Sequence, residues 1–302
     1  MQKLETEHLL DESFTNRTTA SGLRILITGD SYVQGTSGPK EDSLAYLIAK
    51  KLQERLPIQH LRIYAKDGAT VSEIATNLHT QYPASNPDEP KAEPKFDIII
   101  SNGGVNDQYR GHVGALYQDA LNKKLFPTVE RLLADDGHFF KVSTPIWALS
   151  PAGITPDSPG YSYRTDQKEG YELVRQKVTG HPSYNSPQGV ADDTASINTA
   201  DRIHITKLNS PKYHSVDITE VTARAVYNFV ATDALEDVHY NRLDATKLNK
   251  GGFVDHIHFS RAVHEAQADV IVAQILEQFK GVEKPEAQKD ILLCSDNGRV
   301  KS

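Results

Sequence analysis

Four short groups of residues carry functional groups that could work together. Gly29-Asp30-Ser31 supplies a hydroxyl, Gly68 an uncrowded backbone N–H, and Gly104-Val105-Asn106-Asp107 an amide. Asp255-His256-Ile257-His258 places a carboxylate three residues before an imidazole. Acyl transfer needs a nucleophile, a base, a group that orients the base, and donors for the developing oxyanion. A serine hydroxyl is a poor nucleophile until a neutral imidazole accepts its proton, so Ser31 requires a partner such as His258. One tight turn would let Asp255 reach His258 and fix its tautomer. Oxyanion donors would be the backbone N–H groups of Ser31 and Gly68 and the side chain of Asn106.

Plainer readings exist for three of the four groups. Ser31 could be a turn or cap residue, Asn106 and Asp107 a simple helix cap, and His258 a surface histidine. His256 is a rival base that breaks the three-residue spacing from Asp255. Asp255, His256, His258 and His264 could together hold a metal, although no H-E-x-x-H helix is present. The chain has no G-x-S-x-G elbow, no P-loop and no G-x-G-x-x-G dinucleotide fingerprint.

The elements that would position these groups alternate. Leu23–Thr28 reads as a buried strand, and Asp42–Leu56 carries apolar residues at near-helical spacing before Pro57. Leu61–Ala65 is a second strand, Val71–Leu78 a helix, Phe96–Ser101 a third strand and Gly137–Ser143 a fourth. Leu116–Leu133 reads as a helix that Pro127 breaks or kinks. From Thr144 to about Lys212 the pattern dissolves into Pro, Gly, Ser, Asp and Tyr. Tyr213–Ile218 is then a fifth strand, Thr219–Ala231 a helix and Arg261–Phe279 the last helix. Strand–helix alternation implies right-handed crossovers and a mainly parallel sheet, whose reactive edge lies at the carboxyl ends of its strands. Each of the four groups falls just past a strand or just before the last helix.

In order and context, this set resembles the SGNH (GDSL-type) hydrolase family. Gly29-Asp30-Ser31 matches its first block, Gly68 the second-block glycine, Gly104-Val105-Asn106-Asp107 the G-x-N-D block, and Asp255 with His258 the closing D-x-x-H. The resemblance covers about Leu23 to Phe279. It implies a catalytic triad of Ser31, Asp255 and His258, an oxyanion hole of Ser31, Gly68 and Asn106, and no metal or organic cofactor. The second block departs from the family, because Ala65, Lys66 and Asp67 precede Gly68. The Thr144–Lys212 segment has no counterpart in the minimal family core.

The chain has 302 residues, 33 Lys plus Arg against 40 Asp plus Glu, a formal charge of −7 and one cysteine, Cys294. That balance disfavours nucleic acid as a partner, and one cysteine forbids an internal disulfide and thiolate metal clusters. No stretch approaches 18 apolar residues and no secretory signal is expected, so the default location is the cytoplasm, with signal-less export the alternative. The expected architecture is a flavodoxin-like three-layer α/β/α sandwich with a mainly parallel five-stranded sheet. Residues 1–22 would be an N-terminal extension, 23–280 one domain with a long insertion at about 144–212, and 281–302 a polar tail. The expected activity is serine ester hydrolysis, of a short acyl group such as acetyl on a polar, carbohydrate-like carrier. Trp147, Tyr161, Tyr163, Tyr171 and Tyr184 could stack on a sugar or form the insertion's own small core. A lipase, thioesterase or acyltransferase using the same triad is the alternative, and a non-catalytic binding module is the reading from another class.

Overall fold

Leu23–Gly29 (LRILITG) and Phe96–Asn102 (FDIIISN) are aliphatic runs with little polar alternation, the pattern of strands covered on both faces. In the computed structural model, which describes residues 9–15, 22–35, 38–84, 95–144, 187–227 and 258–282, they pair at the centre of a six-stranded sheet. The strands are β1 (Leu9–Thr15), β2 (Leu23–Gly29), β3 (Ile58–Lys66), β4 (Phe96–Asn102), β5 (Leu133–Val142) and β6 (Tyr213–Val216). Their order across the sheet is β1-β3-β2-β4-β5-β6. The pairs β2–β3, β2–β4, β4–β5 and β5–β6 are parallel, so the five expected strands form the expected parallel sheet.

A sixth strand, beyond the five expected, lies within the expected N-terminal extension, residues 1–22. β1 runs antiparallel along β3, from Leu9 opposite Lys66 to Thr15 opposite His60. Leu10, Glu12 and Phe14 point inward. A carboxylate in the middle of that inward row hid the strand in the sequence. Lys40 pairs with Glu12 at 2.9 Å and makes its burial tolerable.

The helices are α1 (Ser31–Gln34), α2 (Leu44–Arg55), α3 (Val71–Gln81), α4 (Val105–Tyr109), α5 (Ala115–Ala120), α6 (Phe126–Leu132), α7 (Pro187–Leu208), α8 (Thr219–Tyr227) and α9 (Arg261–Gln278). One face of the sheet (Ile25, Ile27, Ile63, Ile98, Ile100, Phe140) packs with Leu44, Leu47 and Leu52 of α2 and Ile271 and Ile275 of α9. The other face (Leu26, Ile99, Phe139) packs with Val71, Ile74 and Leu78 of α3, Tyr117 of α5, Val129 of α6 and Ile197 of α7. Strand residues alternate between these two cores, each large aliphatic side chain contributing about 1.5–3 kcal/mol by leaving water. The result is three layers, α/β/α.

Two local features differ from the sequence expectation. The expected Leu116–Leu133 helix is interrupted by a π-helical turn at Leu121–Leu125, and Pro127 lies in the first turn of α6 just downstream. A widened turn absorbs the missing N–H and the ring's bulk. Within the segment expected to be an insertion, Pro187–Leu208 is a 22-residue helix rather than irregular chain. Its inward face includes Asn198 and Asp201 beside Ile197 and Ala200, so apolar periodicity could not reveal it. Trp147, Tyr161, Tyr163, Tyr171, Tyr184 and Cys294 lie outside the described residues. Among the described residues no helix is long and apolar enough to cross a membrane.

Candidate active site

The chain leaves β2 through Gly29, where a Cβ would sit 2.3 Å from Val33 Cγ2 and 2.7 Å from the Asn102 carbonyl oxygen. Only glycine fits there. Asp30 is the N-cap of α1 and accepts the Tyr32 N–H at 3.0 Å. Ser31 is the first residue of that single-turn helix, and Gly35 closes it at φ 75°. Ser31 therefore stands at the carboxyl end of the central strand, where a parallel sheet presents reactive groups.

β3 delivers Gly68 to the same edge. Gly68 adopts φ 70°, and nothing lies within 4 Å of where its Cβ would be, so its face toward solvent is open. Its carbonyl accepts from Arg110 Nη2 at 2.9 Å. Two residues on, Thr70 and Glu73 form a capping box that starts α3.

Asn106 is the second residue of α4, just past β4. Its Nδ2 lies 3.2 Å from the Ala69 carbonyl oxygen and 3.4 Å from Asp30 Oδ2. One amide thus touches the residues flanking both Gly68 and Ser31. The N-cap of α4 is Gly104, so Asn106 does not cap that helix. Asp107 does a capping job elsewhere, accepting the Val71 N–H at the start of α3 at 2.8 Å. The loops after β2, β3 and β4 are tied together through these contacts.

His258 comes from the far end of the chain, directly before α9. It is 7% exposed, and its ring lies 5.7 Å from that of Tyr32, the neighbour of Ser31. Asp255 and the rival base His256 lie outside the described residues. His264, the fourth member of the metal alternative, is buried within α9 with Nδ1 2.9 Å from the Asp42 carbonyl oxygen. Among the described residues no three His, Cys, Asp or Glu side chains gather as a metal site.

The edge is electrostatically tense. Burial pushes the Asp30 carboxyl up to about 7, against the pull of the Tyr32 N–H, His258 and Lys141. Burial does the same to Asp107, also up to about 7, against the Val71 N–H and Lys141. Lys141, wholly buried in β5, went unnoticed in the sequence. A lone lysine in Phe139-Phe140-Lys141-Val142 reads as one solvent-facing residue, and only tertiary contact reveals its role.

No family model matches the chain, and no curated protein matches it. Among solved structures it resembles a member of the lipolytic G-D-S-L family from Veillonella parvula, with 12% identity and a TM-score of 0.45 over 85% of this chain and 98% of that one. It also resembles the extracellular lipase from Streptomyces rimosus, with 12% identity and a TM-score of 0.48 over 84% and 99% of the two chains. A carbohydrate acetylesterase family member from Sinorhizobium meliloti gives 15% identity and a TM-score of 0.46 over 85% and 100%.

Proposed function

We propose that the chain is a serine ester hydrolase of the SGNH (GDSL-type) kind. The observation that carries this reading is the Asn106 amide, which bridges Asp30 and Ala69 and so draws the Ser31 and Gly68 loops together at one sheet edge. His258 packing on Tyr32 brings an imidazole to the same place.

In this reading Ser31 Oγ attacks the ester carbonyl while its proton passes to His258. The oxyanion forms against the backbone N–H groups of Ser31 and Gly68 and the Asn106 amide. At 3.4 Å, the hydrogen bond from Asn106 to Asp30 is long, so a developing negative charge competes for that N–H. The imidazolium returns its proton to the leaving alkoxide. Water, deprotonated by His258, then attacks the acyl carbon, and the imidazolium returns the proton to Ser31 Oγ as the acyl–oxygen bond breaks and the acid leaves. Asp255 would orient His258 throughout. The preferred substrate is a short acyl ester on a polar, carbohydrate-like carrier, a reading supported by the polar composition of the sequence.

Hydrolysis of p-nitrophenyl esters from two to sixteen acyl carbons, with Ser31→Ala as the blank, tests both levels. Activity should be highest for the shortest chains and vanish in the variant. A maximum at eight carbons or longer overturns the short-acyl reading, and undiminished turnover by Ser31→Ala overturns the serine mechanism.

A further inference from the structure

The insertion reaches the proposed oxyanion loop through a buried polar cluster. Lys141 Nζ lies 3.0 Å from the Gly103 carbonyl oxygen and 3.1 Å from that of Val142. It also lies 2.9 Å from Asp201 Oδ2, whose other oxygen accepts the Tyr117 hydroxyl at 2.9 Å. Side chains of Lys141 and Asp201 are 0% and 2% exposed. Asp201 belongs to α7, and Gly103 immediately precedes the Gly104–Asp107 block.

A second layer of contacts repeats the connection. Thr144 Oγ1 also donates to the Gly103 carbonyl, at 3.1 Å. Thr144 is in turn clamped by Asn198 of α7, whose amide accepts the Thr144 N–H at 2.7 Å and donates to its carbonyl at 3.1 Å. Gly104 takes φ 134°, and a Cβ there would meet Thr144 Oγ1 at 2.3 Å and Ile197 Cγ2 of α7 at 3.0 Å. The backbone that leads into Asn106 is thus pressed against α7 and held by donors that α7 organises.

From this geometry we propose that Lys141 is a positioning residue for the Asn106 loop, and that α7 is the brace that holds Lys141 and Thr144 in place. The proposal rests on the ester-hydrolase reading and assigns the insertion a catalytic purpose. A bare apolar brace would pack just as well, but it would leave the Gly103 carbonyl without its cationic donor. The charge of Lys141 also attracts the Asp30 and Asp107 carboxylates, lowering the cost of their ionisation. Both carboxylates hold backbone N–H groups of the loops that carry Ser31 and Gly68.

The test separates positioning from stability. Lys141→Met alone strands a buried carboxylate and is expected to lower the melting temperature sharply. The double variant Lys141→Met/Asp201→Leu removes both charges, and such replacements often restore stability. Short-ester kinetics and amide hydrogen exchange over residues 103–110 are then compared with the parent protein. Positioning predicts that the double variant keeps kcat at least about tenfold down with KM within about threefold, and that exchange over 103–110 speeds up while β2 and β4 stay protected. Recovery of parental kcat and exchange along with stability would overturn the proposal, as would a double variant that falls only through KM. A parent protein that neither hydrolyses esters nor is labelled at Ser31 by a fluorophosphonate refutes the hydrolase reading itself, and this inference with it.

Discussion

Tyr32 and His258 pack ring against ring, with centroids 5.7 Å apart and planes inclined at 55°. Phe259 lies on the same Tyr32 ring at 5.2 Å, and Tyr32 itself is almost wholly buried. The residue after Ser31 is therefore the seat on which the segment leading into α9 rests. Distant parts of the chain meet at this aromatic contact, the residue after Ser31 on one side and His258 with Phe259 on the other.

That contact makes a graded prediction. His258→Ala should reduce kcat on a short ester by roughly 10³-fold or more, whereas His256→Ala should leave it within about threefold. Tyr32→Phe keeps the ring and should keep activity. Tyr32→Ala should cost about 3–5 kcal/mol of stability and lower kcat even in the molecules that remain folded. Kinetics on the four variants, each with a melting curve, check this. If His256→Ala is the crippled variant instead, the base is His256.

Asn106 offers a cleaner separation of roles, because it does not cap α4. Asn106→Ala should cut kcat by roughly 10²–10³ with KM nearly unchanged, the signature of a donor felt mainly in the transition state. Loss of its bonds to Ala69 and Asp30 should cost only about 1 kcal/mol in stability. A folded Asn106→Ala enzyme that keeps more than about a third of parental kcat removes Asn106 from the oxyanion hole.

The placement of Ser31, Gly68 and Asn106 at one edge is legible in the sequence because a βα connection in a parallel sheet puts whatever follows each strand there. The five parallel strands were legible for the same kind of reason, since burial on both faces leaves an aliphatic run. What stayed hidden were polar groups in apolar positions. Glu12 interrupts the inward row of β1, Asn198 and Asp201 replace apolar residues on the inward face of α7, and Lys141 interrupts β5. Each is tolerated only because of a partner that arrives from elsewhere in the chain. Pattern reading scores a residue by its own character, and a buried charge is defined by its partner.

The glycines divide along the same line. At Gly104 a methyl group would collide with Thr144 and α7 in a left-handed backbone, so Gly104→Ala should destabilise by about 2–4 kcal/mol. Gly68 also has positive φ, but its Cβ position is open, so Gly68→Ala should cost only about 1–2 kcal/mol. Chemical denaturation of the two variants tests the ranking. Equal losses would mean that α7 does not press on Gly104.

Acid–base behaviour should reveal how expensive the buried carboxylates are. Burial holds the Asp30 and Asp107 carboxyls up at about 7, so the folded protein keeps protons that the unfolded chain releases near pH 4. Their stabilising contribution is complete below pH 4 and is lost as pH rises through 7. Burial pushes His264 and His214 the other way, down to about 4. Their contribution is complete above about pH 6.5 and is lost as pH falls through 4. The two effects oppose each other across one window and flatten the parental profile. Asp30→Asn keeps an oxygen to cap Tyr32 N–H but cannot ionise, so it removes one falling slope. The variant's melting temperature should match the parent's near pH 4 and exceed it increasingly toward pH 7, at about 1.4 kcal/mol for each pH unit in which Asp30 holds its proton only in the folded state. Melting curves from pH 4 to 8 measure this difference, and one that stays constant over that range would show that Asp30 is ionised in the folded protein throughout.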